Sequence, residues 1–277
     1  VFAANPSAFS TSETNHGVEA AARKRRFLLN IVSLDESDMD SVKARVRMGL
    51  SIRPAGVIVY EYDRAGIAAL EYIPKDMPMV VVGGSFGDGE YQVINAERDG
   101  GRWMTMHLLD LGHRTVFHVG RPEGPTDNTR TNGWRDALKE RGVTAPDPII
   151  VPDDDLEESV KAGRTLGRRG DVTAIFAGND ETAIAVIRGL REVGRRVPAD
   201  VSVVGFDDRN FGAMWNPALT SYTQNFLDMG ERSFRMLFEQ IQAKRAGDDA
   251  PPSQVEVVQG KPCLRASERA YGDGEIA

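Results

Sequence analysis

The stretch Val197-Pro198-Ala199-Asp200-Val201-Ser202-Val203-Val204-Gly205-Phe206-Asp207-Asp208 indicates the fold most directly. Its segment Val201–Val204 is a short, apolar, β-branched run, which is typical of a strand covered on both faces in a parallel sheet. The run leads into Asp207 and Asp208, and ligands of open α/β sheets bind beyond the carboxyl ends of the strands. The stretch therefore predicts a buried parallel strand that ends at a ligand site.

The same pattern extends in both directions along the chain, where short apolar runs alternate with helical segments such as Gly101–Leu111 and Glu181–Val193. This alternation favours βαβ units and parallel sheets. The predicted strands are Phe27–Val32, Gly56–Val59, Met79–Val82, Tyr91–Ile94, Thr115–Val119, Ile149–Val151, Ala174–Phe176, Val201–Val204, Ser221–Thr223 and Val255–Val257. These strands are too many for one simple doubly wound sheet, so we predict an α/β protein with two doubly wound parallel-sheet lobes.

Length and charge limit the partners of the chain. The 277 residues fit two lobes at about 150 residues per domain. Lys and Arg number 34 against 41 Asp and Glu, a net charge of −7, which is opposite in sign to a nucleic-acid-binding surface. No apolar run approaches the length of a membrane span, and the single cysteine, Cys263, fits a reducing compartment. We expect a cytoplasmic protein with no membrane partner and no DNA contact of its own.

Several short motifs match those of enzymes or metal sites, but the residues around them do not fit either function. Gly83–Gly87 matches G-x-S-x-G, but the helix that a nucleophile elbow at Ser85 requires is not predicted after it. The histidines lack metal-ligand spacing, and Asp153-Asp154-Asp155 is better interpreted as a helix N-cap with an acidic first turn. Neither a P-loop nor a dinucleotide fingerprint is present. We therefore expect no enzyme activity, no metal and no cofactor.

Polar side chains follow several predicted strands. Asn179 and Asp207 come after strands, Gln224 ends a strand, and Arg130 opens a helix. Singly, each has a local interpretation, as a helix cap or a surface ion pair. Together they supply a carboxylate, two amides and a guanidinium, which suit the neighbouring hydroxyls of a small polar ligand.

Aromatic residues lie near the same strand ends. Phe206, Trp215 and Phe226, together with Phe9, could stack on a sugar or a base, although packing in the core or at a hinge is the simpler interpretation of each. The combination of polar and aromatic residues suggests carbohydrate binding.

The chain resembles a known family through motifs that are spread over nearly its whole length. The most specific of them is Val197–Asp208 with its sequel Pro217-Ala218-Leu219-Thr220. The others are His16–Ala21, Pro54–Val59, Asp99–Gly101, His107–Arg114, Arg130–Trp134, Ile175–Asp180 and Gln224. In these motifs the chain is similar to the effector-binding core of the lactose/galactose repressor (LacI/GalR) family of bacterial transcription regulators.

The resemblance implies a periplasmic-binding-protein-like architecture, in which three crossover segments join the two lobes. We place the crossings near Ile94, Gln224 and Gln254. The expected N-terminal lobe is then 1–94 plus 225–254, the C-terminal lobe is 95–224 plus 255–268, and 269–277 is a flexible tail.

The resemblance also implies which residues line an effector pocket in the inter-lobe cleft. Arg130, Asn179, Asp207 and Gln224 match positions that do so in the family, and they coincide with the polar residues found above. The loop after the first strand, Ser7–Asn15, joins them with Ser10, Thr11 and Thr14. This loop departs from the family pattern, because it is rich in Ser and Thr and lacks Asn-Pro-Phe-Phe.

Partners follow from the resemblance as well. Family members carry a helix-turn-helix of about 50–60 residues before this core, which we expect outside this chain. The chain is then expected to be a homodimer that binds a small effector, with operator DNA contacted only through that N-terminal domain and controlled allosterically. A secreted sugar-binding protein that serves a transporter is the alternative.

Overall fold

The computed structural model describes residues 1–84, 91–122, 126–152 and 155–272. Its helices are α1 (Phe9–Lys24), α2 (Met39–Ser51), α3 (Arg64–Leu70), α4 (Glu97–Asp110), α5 (Arg130–Glu140), α6 (Leu156–Gly167), α7 (Asp180–Glu192), α8 (Asn210–Met214) and α9 (Phe226–Ala246). Its strands are β1 (Phe2–Ala3), β2 (Val32–Ser33), β3 (Val57–Tyr60), β4 (Met79–Val82), β5 (Gln92–Asn95), β6 (Phe117–Gly120), β7 (Ile149–Ile150), β8 (Ala174–Ala177), β9 (Ser202–Val204), β10 (Ser221–Thr223), β11 (Val255–Val258) and β12 (Lys261–Cys263).

The chain forms two compact α/β units. The first is built mainly from Val1–Asn95 and Asn225–Gln259, and the second from Ala96–Glu123, Asp127–Gln224 and Gly260–Ala277. The chain therefore passes from one unit to the other after Asn95, after Gln224 and after Gln259.

The first unit is organised around a parallel sheet whose described strands run in the order β11-β5-β4-β3-β1-β2. Strand β3 shows why this sheet needs cover on both faces. Its residues Ile58 and Tyr60 belong to the apolar core under α1 and α9, whereas Val57 and Val59 belong to the core under α2 and α3. Alternate residues of one strand thus serve two cores, which explains why the strand is apolar throughout.

The second unit has a parallel sheet in the order β7-β6-β8-β9 and an antiparallel pair of β10 and β12. Ile175 of β8 packs with α6 and α7 residues in one core, and Phe176 packs with Trp134 in the other. The carboxyl ends of β8 and β9 lead directly into Asn179 and Asp207, so this sheet determines where the predicted polar residues lie.

Three sequence-based predictions about segment boundaries are wrong. Residues 255–258 belong to the first unit rather than the second, because β11 pairs with β5 along four residues. The segment Phe27–Val32 is not a strand apart from Val32, and Leu28 in it is 94% exposed. The tail prediction for 269–272 is also wrong, since the Arg269 N–H donates to Ser202 Oγ and the Tyr271 N–H donates to the Leu111 carbonyl.

Candidate effector site

The guanidinium of Arg130 lies at the centre of a polar cluster in the second unit. Thr129 caps α5 by accepting the N–H of Asn132 at 3.1 Å, which fixes Arg130 as the first residue of the helix. Only 8% of Arg130 is exposed. Its Nη2 lies 2.9 Å from Asp207 Oδ1 and 3.1 Å from Glu97 Oε1, and its Nη1 donates to the Gly178 carbonyl at 2.5 Å and to Asp207 Oδ2 at 3.4 Å. Two carboxylates and one carbonyl therefore share this cation.

An aromatic platform supports the same guanidinium. The guanidinium carbon lies 4.2 Å from the ring centroid of Phe206, and Phe206 stacks in turn on Tyr222 with centroids 5.1 Å apart. Phe206 is fully buried. The cation–π contact and the ion pairs hold the guanidinium plane in one orientation, which is the requirement for recognising a polar ligand by geometry.

Asp207 is presented by a strained turn. Asp207 and Asp208 both have positive φ values, 89° and 50°, a region that costs an L-residue about 1–2 kcal/mol. The Asp207 N–H donates to the Tyr222 carbonyl at 2.9 Å, and Gln224 Nε2 donates to Asp207 Oδ1 at 2.8 Å. Strain of this kind at the end of a strand is typical of ligand sites.

Asp180 stands behind this turn and holds it. Its Oδ1 accepts from the Ser221 hydroxyl and its Oδ2 from the Arg209 N–H, both at 2.6 Å, while Ser221 Oγ accepts the Asp208 N–H at 3.0 Å. Burial raises the pKa of the Asp180 carboxyl to about 7, although these two hydrogen bonds oppose the shift. Asp180 is thus a buried acid that titrates near neutral pH beside the Asp207 turn.

The charges of the cluster favour ionised Arg130. Burial lowers the pKa of Arg130, but the carboxylates of Asp207 and Glu97 outweigh it and hold this pKa above its ordinary value. The charge of Arg121 opposes the two carboxylates. The cluster therefore offers a permanent cation, two carboxylates and an amide.

Comparison with known proteins identifies the family. Residues 105–267 match the periplasmic binding protein-like domain family. Over 253 residues the chain is 30% identical to the HTH-type transcriptional repressor PurR of Yersinia enterocolitica, covering 89% of this chain and 72% of the repressor. It is 31% identical over 251 residues to PurR of Proteus mirabilis, with coverage of 88% and 72%. The chain belongs to the LacI/GalR family of transcriptional regulators.

Solved structures agree with this LacI/GalR assignment. A complex of the transcriptional regulator CelR with cellobiose has a TM-score of 0.82 and 26% identity, covering 96% of this chain and 83% of CelR. A dimeric Lac repressor has a TM-score of 0.83 and 24% identity, with 98% of both chains covered, and shows the fold. The expected periplasmic-binding-protein-like core is confirmed. Because the relatives are repressors, they favour a regulator over the secreted sugar-binding protein and over an enzyme.

Within the second unit of this LacI/GalR core, the structure brings some predicted site residues together and separates others. Arg130, Asp207 and Gln224 form one hydrogen-bonded cluster. Asn179 caps α7, because its Oδ1 accepts the Thr182 N–H at 2.8 Å. Trp215 instead lines an apolar groove with α6 and α7. Phe206 is buried and packs under Arg130, and a ligand contact of its ring stays a prediction.

Within the first unit, the predicted loop Ser7–Asn15 is mostly helical, because α1 begins at Phe9. Ser10, Thr11 and Thr14 therefore lie in its first turns, and the Thr14 hydroxyl donates to the Ser10 carbonyl at 2.7 Å. Phe226 begins α9 and packs edge-on against Phe9 with ring centroids 5.8 Å apart. Phe226 is buried in the apolar core, so its described contacts are those of a packing residue.

Sequence reasoning missed Glu97. The helix predicted to begin at Gly101 begins at Glu97, four residues earlier, and this places the Glu97 carboxylate on Arg130. An available signal was the acidic pair Glu97 and Asp99, since acidic residues are favoured in the first turn of a helix.

The structure describes only part of the candidate enzyme and metal motifs. Asp155 caps α6, with Glu157 and Glu158 in its first turn, as predicted, whereas Ser85, Asp153 and Asp154 lie outside the described residues. In the described ranges, no group of three His, Cys, Asp or Glu side chains is arranged to hold a metal ion. No helix among the described residues is long and apolar enough to span a membrane.

Proposed function

We propose that this chain is the sensor of a cytoplasmic transcriptional regulator that binds a sugar or sugar derivative at the Arg130 cluster. The carrying observation is the hydrogen-bonded set of Arg130, Asp207 and Gln224. A sugar hydroxyl both donates and accepts, so neighbouring hydroxyls are matched by a carboxylate acceptor beside guanidinium and amide donors. The likeness to CelR, whose solved complex contains cellobiose, supports a carbohydrate.

Control of transcription is the second part of the proposal. The relatives are HTH-type repressors, and the net charge of −7 does not favour direct DNA binding by this chain. Operator contact would then be made by a helix-turn-helix outside these residues. Effector and operator binding would be linked by one coupling free energy, so each changes the affinity for the other by the same factor.

Asp207→Asn is expected to weaken sugar binding by about 10- to 100-fold, since charge-assisted hydrogen bonds contribute about 1.5–3 kcal/mol. Calorimetric titration with cellobiose, glucose, galactose and ribose measures the loss. Asp171→Asn is the matched control, because Asp171 forms an exposed ion pair with Arg169 in the same unit. Failure of all four sugars to bind the unaltered chain would contradict a carbohydrate effector of these classes, and equal affinities in both variants would contradict the assigned site.

The third part of the proposal is that the chain forms a homodimer. We assign the contact between the two copies to the groove of about 510 Å³ along α6 and α7. Leu156 and Trp215 line it and are 48% and 38% exposed, respectively. Its charged lining residues are Glu181, Arg188, Arg191 and Glu192. Apolar side chains together with charges of both signs suit an isologous contact, in which a second copy presents the same surface about a two-fold axis.

Leu156→Lys is expected to shift the dimer to monomer at micromolar concentration, because it places a charge among the apolar side chains of the contact. Light scattering coupled to size exclusion measures the mass. Leu264→Lys is the control, since Leu264 is similarly exposed, at 54%, and does not line the groove. A monomeric unaltered chain, or equal dissociation in both variants, would argue against this surface.

A further inference from the structure

The Glu97 carboxylate pairs with the Arg130 guanidinium, which an effector would also contact. Arg130 has four terminal N–H groups, and they face four acceptor atoms: the Gly178 carbonyl, both oxygens of Asp207 and Glu97 Oε1. The remaining donor, Nε, is buried and has no hydrogen-bond partner among the described residues. The two terminal nitrogens of the guanidinium are therefore engaged by the protein, and the buried Nε is not.

This engagement matters most for anionic ligands. Proteins bind carboxylates and phosphates tightly when two parallel N–H groups of one arginine are available to them. Here an anion would have to displace a carboxylate, and it would approach the negative charges of Glu97 and Asp207. A neutral hydroxyl or amine meets the opposite situation, because it donates to these carboxylates. Glu97 is reachable, with 30% of its side chain exposed.

We infer that Glu97 is a specificity-determining residue that excludes anionic effectors and restricts the Arg130 site to neutral or cationic ligands. This inference rests on the proposed function, because it assigns the charge class of the effector at the same cluster. Arg121 adds a positive charge near Arg130, so net charge alone does not account for the exclusion of anions. The exclusion comes from the carboxylates that already occupy the guanidinium.

Inorganic sulfate is the probe that tests Glu97 without a known effector. At constant ionic strength, calorimetric titration is expected to show at least tenfold tighter sulfate binding to Glu97→Ala than to the unaltered chain. Glu97→Gln, which keeps the shape and removes the charge, is expected to change in the same direction and guards against misfolding of the alanine variant. Glu140→Ala is the matched control, because Glu140 pairs with Arg102 across the same two helices, α4 and α5.

Two results would overturn the inference. One is sulfate binding to the unaltered chain as tight as to Glu97→Ala, and the other is no gain in either Glu97 variant relative to Glu140→Ala. A second titration compares glucose with glucuronate, which differ at one carbon, and the affinity ratio is expected to move at least tenfold toward glucuronate in Glu97→Gln. If neither sugar binds, the four-sugar titration above decides the carbohydrate proposal, while the sulfate titration decides the role of Glu97.

Discussion

Arg130→Ala is expected to lower the free energy of unfolding by about 3–5 kcal/mol, the cost typical of removing one partner from a buried ion pair. Among the described residues, Asp207 is left with a largely buried carboxylate whose remaining hydrogen bond comes from Gln224, and Phe206 loses the cation above its ring. Urea unfolding followed by circular dichroism measures the change. The same substitution is expected to abolish stabilisation by any sugar that the unaltered chain binds.

A double-mutant cycle separates the ion pair from lost packing. In an Asp207→Asn background, Arg130→Ala is expected to cost at least 1 kcal/mol less, because the uncompensated charge is no longer there. Arg164→Ala is the control, since Arg164 pairs with Glu157 and Glu192 on the surface, where ion pairs contribute little. Additive costs of the two site substitutions would show that Arg130 does not stabilise the fold through its pair with Asp207.

Several strands of the two sheets were predictable because an apolar run that is buried on both faces leaves a strong signal. The predicted bounds Met79–Val82 coincide with β4, and those of Ala174–Phe176 differ from β8 by one residue. A strand that serves two cores has to be apolar at every position, and few other structures demand this over four residues.

Predictions failed where an apolar run serves a different purpose. Phe27 follows α1 and packs edge-on against Phe234 and Phe238 of α9, so its hydrophobicity reflects a helix-end contact rather than a strand. Val255–Val257 was recognised as a strand, but the unit to which it belongs depends on its pairing partner, which is β5. Pairing between residues 163 positions apart is a tertiary property that local patterns do not encode.

The site shows the same limit at the level of single side chains. Arg130, Asp207 and Gln224 were predictable from their places at strand and helix ends together with the family resemblance. Glu97 was missed, because the four residues before Gly101 carry little helical periodicity, and the one available signal was the acidic first turn of Glu97 and Asp99. Asn179 illustrates the reverse case, in which a plausible ligand residue uses its oxygen to cap a helix.

Asp180→Asn is expected to stabilise the chain at pH 8 and to change it little near pH 4. The carboxyl has a folded-state pKa of about 7 against 3.8 in the unfolded state, because it is buried. Its contribution to stability is therefore fully present below pH 4 and is lost as the pH rises to about 7. At about 1.4 kcal/mol per pKa unit, the loss is on the order of 4 kcal/mol.

Asparagine is a close mimic of the neutral acid at this position. Its oxygen can accept the Arg209 N–H, and its NH2 group can donate to Ser221 Oγ. The Ser221 hydroxyl then accepts at this contact instead of donating. The variant thus keeps both hydrogen bonds without a charge that is costly to bury. The difference in unfolding free energy between variant and unaltered chain is expected to grow from pH 4 to 7 and to stay level above it.

The comparison has to be a difference, because another buried group acts in the opposite direction. Burial lowers the pKa of His118 to about 4, so the stability it supports is lost as the pH falls from 6.5 toward 4. This contribution is the same in both proteins and cancels. Asp171→Asn is the control, since its ion pair with Arg169 lowers the pKa of Asp171 below the tested range. The unfolding free energy is measured by denaturant unfolding at each pH. If its pH dependence is the same for Asp180→Asn and the unaltered chain, Asp180 is already ionised in the folded state, held by its two donors.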